Sequence, residues 1–332
     1  MEIPTELSSQ VSYLRKVTTG EWKSSCPQCK GDIHQDGSKP DRFMIWTKSK
    51  TTGGIMGLCR RCGYMWFPDD NDKNYKAPSP EVIEERLQLD KKNKKSEIDT
   101  YMQNIHEMQK DKPWETYQEN LQDSPVAKQM MLDRGINDDW WLSYWRLGYC
   151  PDKGYSHKGQ LHNSPSLTIP LQATMTREVF NIRHRLLEPV DNGDKYRPER
   201  SGLPSGLFLC DLDRELTGKC LVVEGEFKAM TTHLTIDDPD LHVVGIPGKK
   251  PSDRMFKKLD DCDPVFVCLD PDAFHTARGS ETAVDRTVKI INSRGANRAR
   301  VIRLPGKIDD MIDEGYLGKR EIKSLMDTAR KA

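Results

Sequence analysis

Four of the nine cysteines fall in two pairs, Cys26-Pro-Gln-Cys29 and Cys59-Arg-Arg-Cys62. A CxxC turn aims two thiolates at one point, and two such turns complete a closed tetrahedral shell for Zn²⁺. With four sulfur ligands no position stays open, so such an ion is structural. Its binding, on the order of 10–16 kcal/mol, would supply most of a small module's stability. Lys30-Gly31 after the first pair and Gly63 after the second suit the tight turns that such knuckles need, and RFMIW and GIMGL between them read as the hairpin of a zinc ribbon. His34 lies nearby and reads as an exposed histidine rather than a ligand. The other cysteines, Cys150, Cys210, Cys220, Cys262 and Cys268, are scattered singly and read as small buried apolar residues.

A second set of residues is acidic. Glu224 ends the apolar run CLVVEG, Asp270 and Asp272 end PVFVCLDPD, and Lys307, Asp309 and Asp310 follow RARVIRLPG. Parallel sheets place their chemistry just beyond the carboxyl ends of strands. Carboxylates that converge there repel unless a cation sits among them, which implies Mg²⁺, or Mn²⁺ in its place. A single acid at a strand end reads equally well as a helix N-cap, Asp272 in particular. Three acidic clusters at three strand ends favour the metal. Arg183, Arg185, Arg197, Lys228, Lys249, Lys250, Arg278 and Lys307 are candidates to hold phosphates, about half of them reading as solvated surface cations instead. In the cysteine region Phe43 and Trp46 read as a small core. Trp22, Tyr64 and Trp66, beside Lys23, Arg42, Lys48, Lys50, Arg60 and Arg61, could stack on unpaired bases.

The elements that must position these residues follow from the pattern. After residue 216 the runs CLVVEG, LHVVGIPG, PVFVCLDPD and RARVIRLPG alternate with helical segments, EFKAMTTHL, SDRMFKKLDD, SETAVDRTVKIINSRG and KREIKSLMDTARK. Such alternation predicts a parallel sheet covered by helices. Upstream, QMMLDRGINDDWWLSYWRLGYC reads as helix, glycine turn and short tryptophan-rich helix, and SLTIPLQ and EVFNIRHRLL as two strands joined by ATMTR. The fold class expected is therefore multidomain α/β: a zinc ribbon at 1–67, a charged helical linker at 68–112 broken by the solvated run KKNKK, an α+β middle subdomain at 113–215, and a parallel-sheet α/β domain at 216–332. Length agrees, because 332 residues suit two to three domains. Lys plus Arg and Asp plus Glu each total 51, which excludes a globally basic nucleic-acid binder but not a local basic face. No run approaches the roughly 18 apolar residues of a membrane span, and no secretory signal opens the chain, so a cytoplasmic protein with no membrane partner is expected.

The order strand–Glu224-Gly225, then strand–Asp270-Pro271-Asp272, resembles the TOPRIM domain shared by topoisomerases and primases. With the ribbon ahead of it, the chain resembles the DnaG-type replicative primases of bacteria and bacteriophages. KQMMLDRGINDDWWLSYWRLGYC resembles the helical entry to their polymerase core, and LTIPLQATMTREVFNIRHRLL with Lys195-Tyr196 resembles its strand-turn-strand. The resemblance implies a DNA-directed RNA polymerase that makes short RNA primers from NTPs on single-stranded DNA during replication. It implies Mg²⁺ on Glu224, Asp270, Asp272 and Asp310, Glu224 serving alternatively as a general base. Arg185, Lys195 and Lys307 would contact nucleotide or template, and the ribbon would read template through Trp22, Arg60, Tyr64 and Trp66. A replicative helicase in trans is the implied partner, since GIPGKK lacks the spacing of a GxxxxGK[ST] phosphate loop. The host would be a bacterial cell if the chain is phage-encoded. The family's acid four residues after the motif glutamate is Lys228 here, and Ile308 interrupts its last acidic motif. Two rivals keep the same acids or none: a TOPRIM nuclease with water as nucleophile, and a non-catalytic zinc-ribbon DNA-binding module. A topoisomerase would need a large gate domain that the chain has no room for.

Overall fold

The computed structural model describes residues 3, 5–11, 14–18, 20–29, 43–47, 55–60, 62–67, 80–190, 195–203, 205–248, 251–275 and 281–331. They belong to two compact units, Met1–Asp99 and Thr100–Ala332.

In the first unit helix α1 (Thr5–Gln10) precedes five strands: β1 (Leu14–Thr18), β2 (Glu21–Ser24), β3 (Phe43–Trp46), β4 (Met56–Cys59) and β5 (Met65–Trp66). Among the described residues they form one antiparallel sheet in sequence order. The expected RFMIW–GIMGL hairpin is the β3–β4 pair, in the register Phe43↔Cys59 and Ile45↔Gly57. Alternation sends Phe43 and Ile45 inward with Leu7, Cys59, Cys62 and Trp66. Gly57 has to be glycine, because a Cβ there would lie 2.3 Å from the Phe43 ring.

Helix α2 (Pro80–Asp111) is 32 residues long and runs unbroken through KKNKK, where the sequence suggested separate pieces. Lys91, Lys92 and Lys95 are exposed, and lysine favours a helix wherever its ammonium stays in water. Within the second unit its last turns bury Ile105 and Met108 against Trp114, Val179 and Ile182. Helices α3 (Pro113–Asp123), α4 (Pro125–Leu132) and α5 (Asp139–Tyr144) follow; the last two are the expected helix–turn–helix, with Gly135 at φ +73° between them. Strands β6 (Gly148–His157), β7 (Gln160–Gln172), β8 (Val179–Leu186) and β9 (Tyr196–Pro198) then make an antiparallel sheet.

The remaining elements are β10 (Phe208–Leu209), β11 (Gly218–Glu224), α6 (Glu226–Ile236), β12 (Leu241–Ile246), α7 (Asp253–Phe256), a 3₁₀ turn at Lys257–Leu259, β13 (Cys262–Cys268), a second 3₁₀ turn at Pro271–Phe274, α8 (Ala283–Ser293), β14 (Ala299–Val301), α9 (Ile308–Asp313), α10 (Lys319–Thr328) and β15 (Arg330–Lys331). The sheet order is β10-β12-β11-β13-β14-β15. Its four inner strands are parallel and its two rims antiparallel. Residues 220–223 of β11 and all of β12 are buried, the near-continuous apolar run that a strand covered on both faces requires. No helix among the described residues is long and apolar enough to cross a membrane.

Candidate metal centres and the cleft

The four cysteines converge. Sγ of Cys26 lies 3.7 Å from that of Cys62, and Cys29 lies 3.8 Å from Cys59. All four sulfurs stand within 4.8 Å of one another. A tetrahedron with Zn–S bonds of about 2.3 Å has edges of about 3.8 Å, so the set fits zinc without rearrangement. The second knuckle is held by backbone: Gly63 N–H donates to Cys59 O, and Cys59 N–H to Tyr64 O. Gly63 sits at φ +75°, which glycine adopts without strain. Hydrogen bonding from Cys26, then from neighbouring thiols, pulls Cys59 well down, and the Cys26 thiol likewise brings Cys29 down to about 7. Cys26 and Cys62 are pushed up in turn, so the four thiols share their protons as one set and the thiolate, the ligand form, is most favoured at Cys59.

The acids converge as well. Strands β11 and β13 are parallel neighbours, with Val223 opposite Cys268, so their carboxyl ends share one rim. There one carboxylate oxygen each from Glu224, Asp270 and Asp272 lies within 4.8 Å of the others, a spacing that a hard divalent cation fits. Capping does not account for them. Asp270 occupies the cap position of the 3₁₀ turn without a side-chain cap bond, and Asp272 lies inside that turn. Gly225, at φ +97°, turns the chain from Glu224 into α6, and a Cβ on facing Gly245 would come 2.6 Å from the Gly225 carbonyl.

Beside Glu224 opens a cleft of about 460 Å³. Arg134, Arg185 and Lys307 line it together with Asp309, Asp310 and Asp313. Arg134 and Arg185 both lie over the buried Phe227 ring, their guanidinium carbons 4.7 and 5.3 Å from its centroid. Burial, then the charge of Arg185, lowers Arg134 below its ordinary value. Partial burial, then Asp309 and Asp310, raises Asp313. Like charges thus sit beside one another both among the basic and among the acidic lining residues, a strain that a ligand bearing both anionic groups and cations would relieve.

No family model matches the chain, and no curated protein matches it. Solved structures do. The zinc-binding and RNA polymerase domains of the Aquifex aeolicus primase align at TM-score 0.52 and 18% identity, covering 98% of this chain and 83% of that one. A DnaG primase catalytic domain bound to ssDNA aligns at TM-score 0.53 and 17% identity over 70% of this chain and 83% of that one. A DNA primase domain from Pseudomonas aeruginosa aligns at TM-score 0.51 and 15% identity, over 68% and 79%. The fold is that of the DnaG-type primases.

Within this primase fold the expected residues divide. Arg185 and Lys307 line the cleft. Lys195 is exposed just before β9 and does not line the cleft. Lys228, expected to hold phosphate, has its ammonium on Asp270, 2.6 Å from Oδ1 and also bonded to Oδ2. Arg183 is buried, pairing with Glu226 and lying over Tyr196, so it braces the cleft from behind. Arg197 lies over the Tyr155 ring. Asp310, expected with the metal ligands, stays outside the close carboxylate group, because α9 carries it onto the cleft wall over α6.

Two aromatic expectations change in the ribbon. Trp66 is only 8% exposed and is core, so its face is closed to a base. Trp46 is outside that core and donates its indole N–H to Glu21 at 3.1 Å, whereas Trp22 and Tyr64 pack half-buried against it. Arg60 is exposed. His34, Lys30, Gly31, Arg42, Lys48, Lys50, Arg61, Lys249, Lys250 and Arg278 lie outside the described residues.

Sequence reading missed Arg134, Glu226 and Tyr196. Arg134 sits in the turn after α4, its carbonyl accepting from Thr231 Oγ1 at 2.9 Å. Glu226 is 1% exposed and raised above its ordinary value by burial. The repeated acid in Glu224-Gly225-Glu226 was the available signal.

Proposed function

We propose that the chain is a DNA primase: it binds single-stranded DNA and nucleoside triphosphates and joins nucleotides into short RNA primers for replication. The observation that carries this reading is the meeting of Glu224, Asp270 and Asp272 at one rim, beside a cleft lined by both basic and acidic residues. The parallel-sheet region is accordingly read as a TOPRIM domain. Glu224, Asp270 and Asp272 would hold Mg²⁺, or Mn²⁺, which when bound neutralises charge at the phosphate under attack and eases loss of the 3′-hydroxyl proton.

The protein's own groups do the rest. Arg134 and Arg185, stiffened on Phe227, present two guanidinium groups to a triphosphate, and Lys307 adds a third cation from the start of α9. The pair Arg183–Glu226 holds Tyr196 and the start of α6 in place, which fixes Glu224 beside them. Zn²⁺ on Cys26, Cys29, Cys59 and Cys62 serves the ribbon's fold, and Trp22, Tyr64 and Arg60 offer stacking and charge to template bases. A ring helicase acting in trans is the partner.

The test is primer synthesis from NTPs on single-stranded DNA. Asp270→Ala is expected to lose activity by roughly a thousandfold or more, as removal of a charge-stabilising group at a reacting centre does. Undiminished synthesis by that variant ends the assignment. Mg²⁺-dependent cleavage of the DNA without NTPs would assign the same acids to a nuclease.

A further inference from the structure

Among the described residues, Glu224, Asp270 and Asp272 meet at the rim of the six-stranded sheet with the ammonium of Lys228 against Asp270. Lys228 engages both oxygens of Asp270, and the two side chains are only 14% and 13% exposed. Asp270 also offers an oxygen within 4.8 Å of oxygens from Glu224 and Asp272. An ammonium on both oxygens takes up part of the carboxylate's lone pairs, and its positive charge repels a divalent ion brought to the same group. Lysine and metal therefore compete for Asp270. Lys228 has somewhere else to go: its Cα is fixed in the first turn of α6, its four-carbon stem pivots, and it already lines the cleft beside Glu224.

Resting on the metal role given above to the three acids, we propose that Lys228 is the built-in counter-cation of this site. With no divalent ion bound it neutralises Asp270 and keeps the acids from repelling one another apart. When an ion enters, Lys228 yields Asp270 and swings into the cleft. It is a positioning residue that sets how tightly the ion is held.

Mn²⁺ alone is the probe, titrated into the zinc-loaded full chain and followed by the electron paramagnetic resonance signal of free Mn²⁺. Lys228→Met is expected to bind Mn²⁺ about tenfold or more tightly than the wild type, because a competing positive charge is gone. Lys228→Arg, which keeps the charge, is expected to stay near the wild type. Without Mn²⁺, Lys228→Met should melt below the wild type and gain more in Tm when Mn²⁺ is added. A lysine that merely braced the fold would leave its Met variant with weaker Mn²⁺ binding. Equal or weaker binding by Lys228→Met overturns the proposal while the metal site stands. Absence of Mn²⁺ binding by wild type and variant alike overturns the metal site itself.

Discussion

The sulfur cluster and the carboxylate cluster differ in how each is prepared for an ion. The four sulfurs already stand at the edge lengths of a zinc tetrahedron, three of the four cysteines are buried, and backbone bonds lock the second knuckle. The three acids are partly open to water, with Asp272 exposed, and a lysine holds one of them. A closed all-sulfur shell, most of it buried, suits an ion that stays for the life of the fold. An open, over-charged rim with an exchangeable partner suits an ion that comes and goes with a substrate. On the function proposed above, the first cluster works for stability and the second for turnover.

That contrast is broken most directly by removing metal. Stripping zinc, or Cys59→Ser, is expected to unfold the ribbon at a cost on the order of 10–16 kcal/mol, seen as lost amide-exchange protection across β3 and β4. Chelating divalent ions from the acid rim should lower the melting of the second unit by no more than about a few degrees. Comparable losses from both treatments would erase the distinction.

Within the ribbon, Trp66→Ala should cost about 3–5 kcal/mol in chemical denaturation, as a core truncation does. Trp22→Ala should cost less stability yet weaken single-stranded DNA binding by about 1–3 kcal/mol. Reversal of that order would return Trp66 to the surface. In the cleft, Arg185→Ala should raise the KM for NTPs about tenfold with kcat less affected, since it removes a contact made before chemistry. A fall confined to kcat would place Arg185 on the reacting atoms instead.

The smallest effect sharpens what holds the second unit. His184 is fully buried in the antiparallel sheet, its Nδ1 2.9 Å from Ser166 Oγ and its Nε2 on Glu199. Burial lowers His184 below 6.5, so the unfolded chain takes a proton that the folded one refuses. Stability is then full above pH 6.5 and falls as pH drops through that value, by at most about 1.4 kcal/mol per pH unit. Burial is the largest influence on Glu199 and opposes its charge, but His184, Lys153 and the Tyr117 hydroxyl together outweigh it and hold the carboxyl below 4.5, so its share is lost only at more acid pH. Thermal melts of wild type and His184→Gln between pH 7.5 and 5 check this; a flat wild-type profile contradicts it.

What could be read from residue order was whatever local spacing encodes. Two CxxC pairs specify the sulfur site, and the β-α rhythm after residue 216 specifies which strand ends carry Glu224, Asp270 and Asp272. What stayed hidden depends on facing. Trp22, Trp46 and Trp66 look alike in composition, and only the register of β2 through β5 decides which one is core. Arg134 reaches the cleft from a turn about 90 residues before α6, with no periodic pattern to announce it. Lys228 looks like any helix-surface lysine until Asp270, from another strand, is found against it. Edge strands β10 and β15 are too short to show an alternation at all.

The first of those short strands matters beyond the site. A parallel sheet with long bare margins offers its unpaired amides to any neighbouring chain, the route to strand-by-strand association. On one side that margin is closed by a two-residue antiparallel strand, Phe208–Leu209. A would-be partner finds only a ladder of a rung or two. That margin is thereby guarded against strand pairing with a neighbouring chain.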